Sequence, residues 1–230
     1  MFRFARFVLL MTFASFASAD FIGYAYDLET QEFLYTEHHS YQAPSKHQVL
    51  YKEANGSVFA TKSLDYQHSA YAPDFVQENK RNGEQISSLK DDNDILIRYK
   101  EDDTSSLKQD TVAYSSNLII DAGFDHFITQ NWDVLITGKA MTIDYVIPSR
   151  LDYYELTVEK EACEINGHYC FSISASSFFI SLFSSQLKLT YNEAATLVSF
   201  QGRSNICDSE GNYQDVNIFY QYDEDQESIL

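Results

Sequence analysis

Proline is nearly missing from this chain, with 3 in 230 residues, and glycine is held to 8. No stretch is rich enough in Pro, Gly or Ser to be a linker, and no segment repeats at a fixed period, so one domain is expected. Basic residues are also scarce: Lys and Arg together number 16 against 34 Asp and Glu, a formal charge of −18. Such a surface repels nucleic acid and anionic lipid, and neither is expected as a partner. No uncharged run after the first twenty residues approaches the ~20 apolar residues that a bilayer requires, so no membrane span is expected. Several motifs are absent too. There is no G-x-S-x-G elbow, no H-E-x-x-H helix, no Walker loop, no G-x-G-x-x-G and no haem attachment site, which removes the common hydrolase, metalloprotease, nucleotide and haem classes. No catalytic residue, metal site or cofactor is assigned.

What is present begins with a leader. Arg3 and Arg6 precede an apolar run from Phe7 to Phe16, and Ala17-Ser18-Ala19 stands before Asp20. This is the pattern of a secretory signal peptide cleaved after Ala19, leaving 14 basic and 34 acidic residues and a charge of −20. The organisation expected is residues 1–19 as signal peptide, 20–222 as one β-rich domain and 223–230 as an acidic tail.

The stretch Asp121 to Thr137 is the one clear amphipathic pattern. Phe124, Phe127, Ile128, Trp132, Leu135 and Ile136 recur at helical spacing, with Asp125, His126, Thr129, Gln130 and Asp133 opposite. One long helix is expected, capped by Asp121 and stopped at Gly138. Nearly everything else alternates as strands: Phe21–Asp27, Phe33–His38, Val49–Lys52, Val58–Leu64, Ile95–Tyr99, Met141–Ile147, Leu151–Glu159, Phe171–Ser176, Leu187–Tyr191, Thr196–Gly202 and Val216–Tyr222. Residues 76–83 read as a polar loop or a single helical turn, and Phe178–Phe183 as a short apolar helix. So many antiparallel strands must curl, and a curled sheet fills its concave side. The expected class is mostly β or α+β, a half-barrel wrapped around the long helix with the short helix as a second filler.

Cys163, Cys170 and Cys207 are the three cysteines. Asn166-Gly167 is a strong hairpin signal, and a two-residue turn there sets Cys163 opposite Cys170, within disulfide reach. Six residues between the cysteines is wide for a zinc pair, so an oxidised bridge is expected, with Cys207 left over.

IDAGFDHFI, the Asn131-Trp132 pair behind it, VIPSRLDYY, and LTYNEAATLVSFQGRSNI with VNIFY together resemble exported proteobacterial proteins of no assigned function. Their expected architecture is similar to the periplasmic half-barrels that carry lipoproteins or other lipids between membranes. The resemblance implies a periplasmic address and brings no catalytic residues with it. The function expected is therefore non-catalytic binding of an apolar, lipid-like molecule or an envelope component. Trp132 and Phe127 would line the site, and Asp121, Asp125 and Arg150 would supply its polar groups, with Arg150 paired to one carboxylate. A structural or assembly factor acting through protein contacts is the alternative, and a hydrolase built on dispersed carboxylates is a third.

Overall fold

A computed structural model describes residues 20–43, 45–175 and 187–222. The strands are β1 (Phe21–Asp27), β2 (Phe33–Ala43), β3 (Lys46–Lys52), β4 (Val58–Asp65), β5 (Asp74–Asn79), β6 (Glu84–Asp91), β7 (Asp94–Lys100), β8 (Lys108–Ala113) and β9 (Leu118–Ile119). Two short helices follow, α1 (Gly123–Gln130) and α2 (Trp132–Leu135), then β10 (Met141–Ile147), a 3-10 turn at Pro148–Arg150, β11 (Asp152–Glu161), β12 (His168–Ala175), β13 (Leu187–Asn192), β14 (Leu197–Cys207) and β15 (Tyr213–Tyr222). The fifteen strands of the described residues form one sheet, ordered β8-β7-β6-β5-β4-β3-β2-β1-β15-β14-β13-β12-β11-β10-β9. Every pairing is antiparallel except the short β9–β10 contact. The chain is thus mostly β, a single meander whose first and last strands, β1 and β15, meet in the middle.

The sheet is not closed by hydrogen bonds, yet it curls until its ends approach. β8 packs beside β11, and the 3-10 turn that follows β10 lies against β6 and β7 at the opposite end of the strand order. Inward faces follow the period of two: Tyr35 and Glu37 on β2, His47, Val49 and Tyr51 on β3, and Ile95, Ile97 and Tyr99 on β7 are all buried. One cluster joins the β1–β7 side around Tyr35, Tyr51, Phe59, Phe75 and Ile97. A second, around Ile143, Leu156, Phe171 and Tyr191, receives Phe127, Ile128 and Leu135 from the helices. Those three side chains are almost wholly buried, worth about 1.5–3 kcal/mol each, and this burial holds two helices too short to persist alone.

The amphipathic stretch is therefore not one rod. It breaks at Asn131, whose φ of −106° and ψ of 16° leave the helical region. The Asn131 side-chain amide donates to the Phe127 carbonyl at 2.9 Å and to the Tyr71 hydroxyl at 3.2 Å, so it competes with the helical ladder at the point where α1 ends. Asp121 is not the cap: the N-cap is Ala122, without a side-chain bond, while Asp121 sits in a left-handed turn with φ of 46°. Gly138 does stop the segment, at φ 86°. The entry to α1 is fixed by close approach. Ile120 N–H donates to the Tyr71 carbonyl at 2.9 Å, and a Cβ on Gly123 would overlap that same carbonyl.

Residues 76–83 are strand in their first half, where β5 runs to Asn79, and a tight turn in the second, leading into β6 at Glu84. The expected short helix at Phe178–Phe183 lies outside the described residues. The Cys163–Cys170 disulfide is formed, with the Cα atoms 5.2 Å apart. Its register differs from the expected hairpin by two residues: Glu161, not Cys163, faces Cys170, so the bridge ties the connecting loop to β12 beyond the end of the ladder.

Candidate functional site

The site-bearing region is the rim where β1 starts and β15 ends. Phe21 pairs with His39 on one side and with Tyr222 on the other, so all three side chains share the concave face. Tyr41 pairs with His47, which brings the first inward ring of β3 to the same level. The result is a row of rings. Phe21 stacks on His39 at 4.1 Å and lies 4.8 Å from Tyr222; Tyr41 stacks on His47 at 4.3 Å; Tyr66 meets His126 of α1 edge-on at 4.6 Å. Gly23 makes room for this packing, because a Cβ there would press into the Tyr220 ring.

Hydrogen bonds join these rings into a chain. His39 Nε2 lies 3.3 Å from Glu37 Oε2, His39 Nδ1 lies 3.0 Å from His47 Nε2, and His47 Nδ1 lies 3.5 Å from the Tyr66 hydroxyl. An ionised carboxylate only accepts, so His39 Nε2 carries a proton and donates to Glu37. A neutral imidazole carries a single N–H, so between His39 and the Tyr66 hydroxyl a neutral His47 donates to one partner and accepts from the other. Burial drives the His47 pKa down to about 2, with the neighbouring His39, Lys62 and His126 adding repulsion, so His47 is neutral in the folded protein. The relay thus runs from Tyr66 through His47 and His39 to Glu37, which is 4 % exposed.

Beside the relay stand the acids of the helical segment. Asp125 accepts from the Tyr191 hydroxyl at 2.9 Å. Burial raises its pKa against the opposing effects of Tyr191, His126 and His39, and the same burial lowers that of His126. Asp121 accepts from Lys62 Nζ at 2.6 Å, and Lys62, 2 % exposed, lies between the Tyr51 and Phe75 rings. Arg150 does not join them. It sits exposed on the 3-10 turn, and Lys62 takes the role expected of it at Asp121. Phe127 is in the core against Tyr71. Trp132 is half-buried, its ring 5.1, 5.6 and 5.7 Å from Tyr169, Phe171 and Tyr191, so the chain's own rings fill the space beneath it. Of the five expected site residues, Asp121 meets Lys62 and Asp125 meets Tyr191, while Phe127 and Trp132 pack in the second cluster and Arg150 stands apart on the turn.

A second polar cluster lies at the opposite end of the sheet. Glu84, 1 % exposed, accepts from the Tyr213 hydroxyl, and among the described residues its other oxygen has no hydrogen-bond partner. Asn79 donates to the carbonyl and sulfur of Cys207, and burial pushes the thiol up to about 12. A thiol held protonated and enclosed is unreactive. Among the described residues no group of three or more His, Cys, Asp or Glu is placed to hold a metal ion, and no helix is long and apolar enough to cross a membrane.

His39, His47, Glu37 and Tyr66 went unnoticed in the sequence as a site. The available signal was Glu37-x-His39 at strand spacing, which places both side chains on one face; the partner His47 becomes visible only through the β2–β3 register.

No protein-family model matches the chain, and no curated protein matches it. Among solved structures it is similar to a β-barrel-like protein of a domain of unknown function, DUF1849, from Brucella abortus, with a TM-score of 0.52 over 90 % of this chain and 98 % of that one. At 5 % identity the likeness is one of fold.

Proposed function

We propose that the chain is an exported, non-catalytic binding protein of the bacterial envelope, a half-barrel that takes an amphiphilic ligand at its ring-lined rim. The leader at residues 1–19 and the formed disulfide support a periplasmic address. The observation that carries the binding reading is the rim itself: Phe21, His39, Tyr66, Tyr220 and Tyr222 keep part of their surface open, while Tyr35 and Tyr51 below them are sealed. Rings with a polar edge suit a molecule that is greasy at one end and polar at the other. The ligand sits at the rim, not beside Trp132, because Tyr169, Phe171 and Tyr191 already occupy that place.

Native mass spectrometry of protein released from the periplasm tests this. A stoichiometric hydrophobic adduct is expected, and it should be lost from Phe21→Ala. Clean protein in both samples overturns the reading. One further observation favours contact with another protein as a second reading: Tyr26, Phe33 and Phe219 form an aromatic patch on the outer face, with Phe33 37 % and Phe219 49 % exposed. In-cell crosslinking from a photoreactive residue at Phe219 should then trap one dominant envelope protein.

A further inference from the structure

The chain holds three Asn-Gly pairs, and all three stand on turns: Asn55-Gly56 between β3 and β4, Asn82-Gly83 between β5 and β6, and Asn166-Gly167 between β11 and β12. They share one chemical liability. A glycine nitrogen that has lost its proton attacks the Cγ of the asparagine before it, since no side chain on the glycine blocks the approach. The fold restrains the first two pairs in the same way. Asn55 Oδ1 accepts from Ser57 N–H at 2.9 Å and from the Ser57 hydroxyl at 2.7 Å, while Gly56 N–H donates to the Glu53 carbonyl at 2.8 Å. Asn82 Oδ1 accepts from Glu84 N–H at 3.1 Å, its Nδ2 donates to the Glu101 carbonyl at 3.2 Å, and Gly83 N–H donates to the Asn79 carbonyl at 2.9 Å. In both, the carboxamide is turned away and the nitrogen's proton is held. The third pair differs. Its turn is closed by His168 N–H donating to the Ile165 carbonyl at 3.3 Å, and among the described residues neither the Asn166 carboxamide nor Gly167 N–H has a hydrogen-bond partner. Both residues are exposed. The turn also requires its glycine, because φ is 76° and a Cβ there would stand 3.2 Å from Glu193 Oε1.

We infer that Asn166 is a self-modification site, its substrate the chain's own Asn166-Gly167 peptide, and that the fold protects Asn55 and Asn82 from the same reaction. The Gly167 nitrogen gives its proton to hydroxide and bonds to Asn166 Cγ; the Cγ–Nδ2 bond then breaks, and ammonia leaves with a proton from water, closing a cyclic imide. Water opens the imide at either carbonyl. The net change consumes water and releases ammonia, with no oxidation or reduction. Opening at Cγ gives aspartate, whereas opening at the backbone carbonyl gives isoaspartate and adds a methylene to the loop that the Cys163–Cys170 disulfide closes. Either product sets a new carboxylate beside the glycine that Glu193 overhangs, where like charges repel.

The test follows all three pairs in one sample. Protein with its disulfide intact is held at neutral pH, then reduced, digested and resolved by liquid chromatography with mass spectrometry into asparagine, aspartate and isoaspartate forms of each peptide. In the native state Asn166 should convert at least about tenfold faster than Asn55 or Asn82, because at those two sites hydrogen bonds to the glycine N–H and to the carboxamide must first break. In reduced protein unfolded in guanidinium the three rates should converge. Ser57→Ala, which removes one bond to the Asn55 carboxamide, should raise the native rate at Asn55 and leave Asn166 unchanged. Native conversion of Asn55 or Asn82 as fast as that of Asn166 overturns the inference. So does an Asn166 that stays intact in the native protein while the unfolded chain converts. A preference for Asn166 that persists in guanidinium overturns it as well, since sequence neighbours and not the fold would then set the rate.

Discussion

Replacing His47 by phenylalanine should flatten the acid limb of the stability curve. In the folded protein the His47 pKa is about 2, because the ring is buried between Tyr41 and Tyr66, whereas in the unfolded chain it titrates near its ordinary value of 6.5. The folded state therefore binds fewer protons than the unfolded state throughout that interval, and stability falls as pH drops from about 6.5 toward 2. With the unfolded pKa at about 6.5, the loss attributable to His47 is about 2 kcal/mol between pH 7 and pH 5 and about 3 kcal/mol by pH 4. Within this window the unfolded titration sets the size, so a folded value anywhere below about 4 gives nearly the same loss at pH 5. His38 and His126, also lowered by burial, act in the same direction. Glu84 and Asp125, raised by burial, act in the opposite one, since their folded forms hold protons more tightly. All four groups are shared by wild type and His47→Phe, so the difference between the two isolates His47. Urea unfolding followed by Trp132 fluorescence at pH 7 and pH 5 measures it. The variant forfeits the bond to His39 at every pH, about 1 kcal/mol, and should gain about 2 kcal/mol relative to wild type on acidification. Parallel pH profiles would refute a buried neutral His47.

Lys62→Met should cost about 3–5 kcal/mol by leaving Asp121 without its partner, and adding Asp121→Asn should recover a large part of that loss; denaturant titration of both variants and the double checks the coupling. Gly123→Ala should abolish folding or lower stability by more than about 3 kcal/mol, because the new methyl group meets the Tyr71 carbonyl that also receives Ile120 N–H; a soluble variant with an unchanged melting curve would contradict that contact. Reducing Cys163–Cys170 should destabilise the chain by about 2 kcal/mol, the chain-entropy value for so short a loop, read from melts with and without reductant. Cys207 should resist alkylation in the native state and react fully in urea, as mass spectrometry of iodoacetamide-treated samples will show.

The strands that alternation reveals in the sequence are those whose inward residues are apolar. β5 and β6 escape the same pattern because their polarity is inverted. Gln77, Asn79, Glu84 and Ser88 are buried, while Val76 and Leu89 are 52 % and 46 % exposed. Three of the four have a partner far away in the chain: Gln77 donates to the Asn205 carbonyl, Asn79 to Cys207, and Tyr213 donates to one Glu84 oxygen, whereas Ser88 donates to the Pro73 carbonyl within the same hairpin. A periodicity rule weighs hydrophobicity along one strand, whereas these positions were settled by hydrogen-bond satisfaction across strands remote in sequence. The same reason hid the rim. His39 and His47 are eight residues apart, and nothing local links them until the β2–β3 register sets Tyr41 opposite His47. Apolar spacing located the helical stretch, but it could not show that the Asn131 amide would find both the Phe127 carbonyl and Tyr71 and break the rod in two. That break turns Trp132 toward Tyr169, Phe171 and Tyr191 while α1 keeps Asp125 and His126 near Tyr191 and Tyr66. One asparagine thereby seats Trp132 among the chain's own rings, where a ligand cavity was expected.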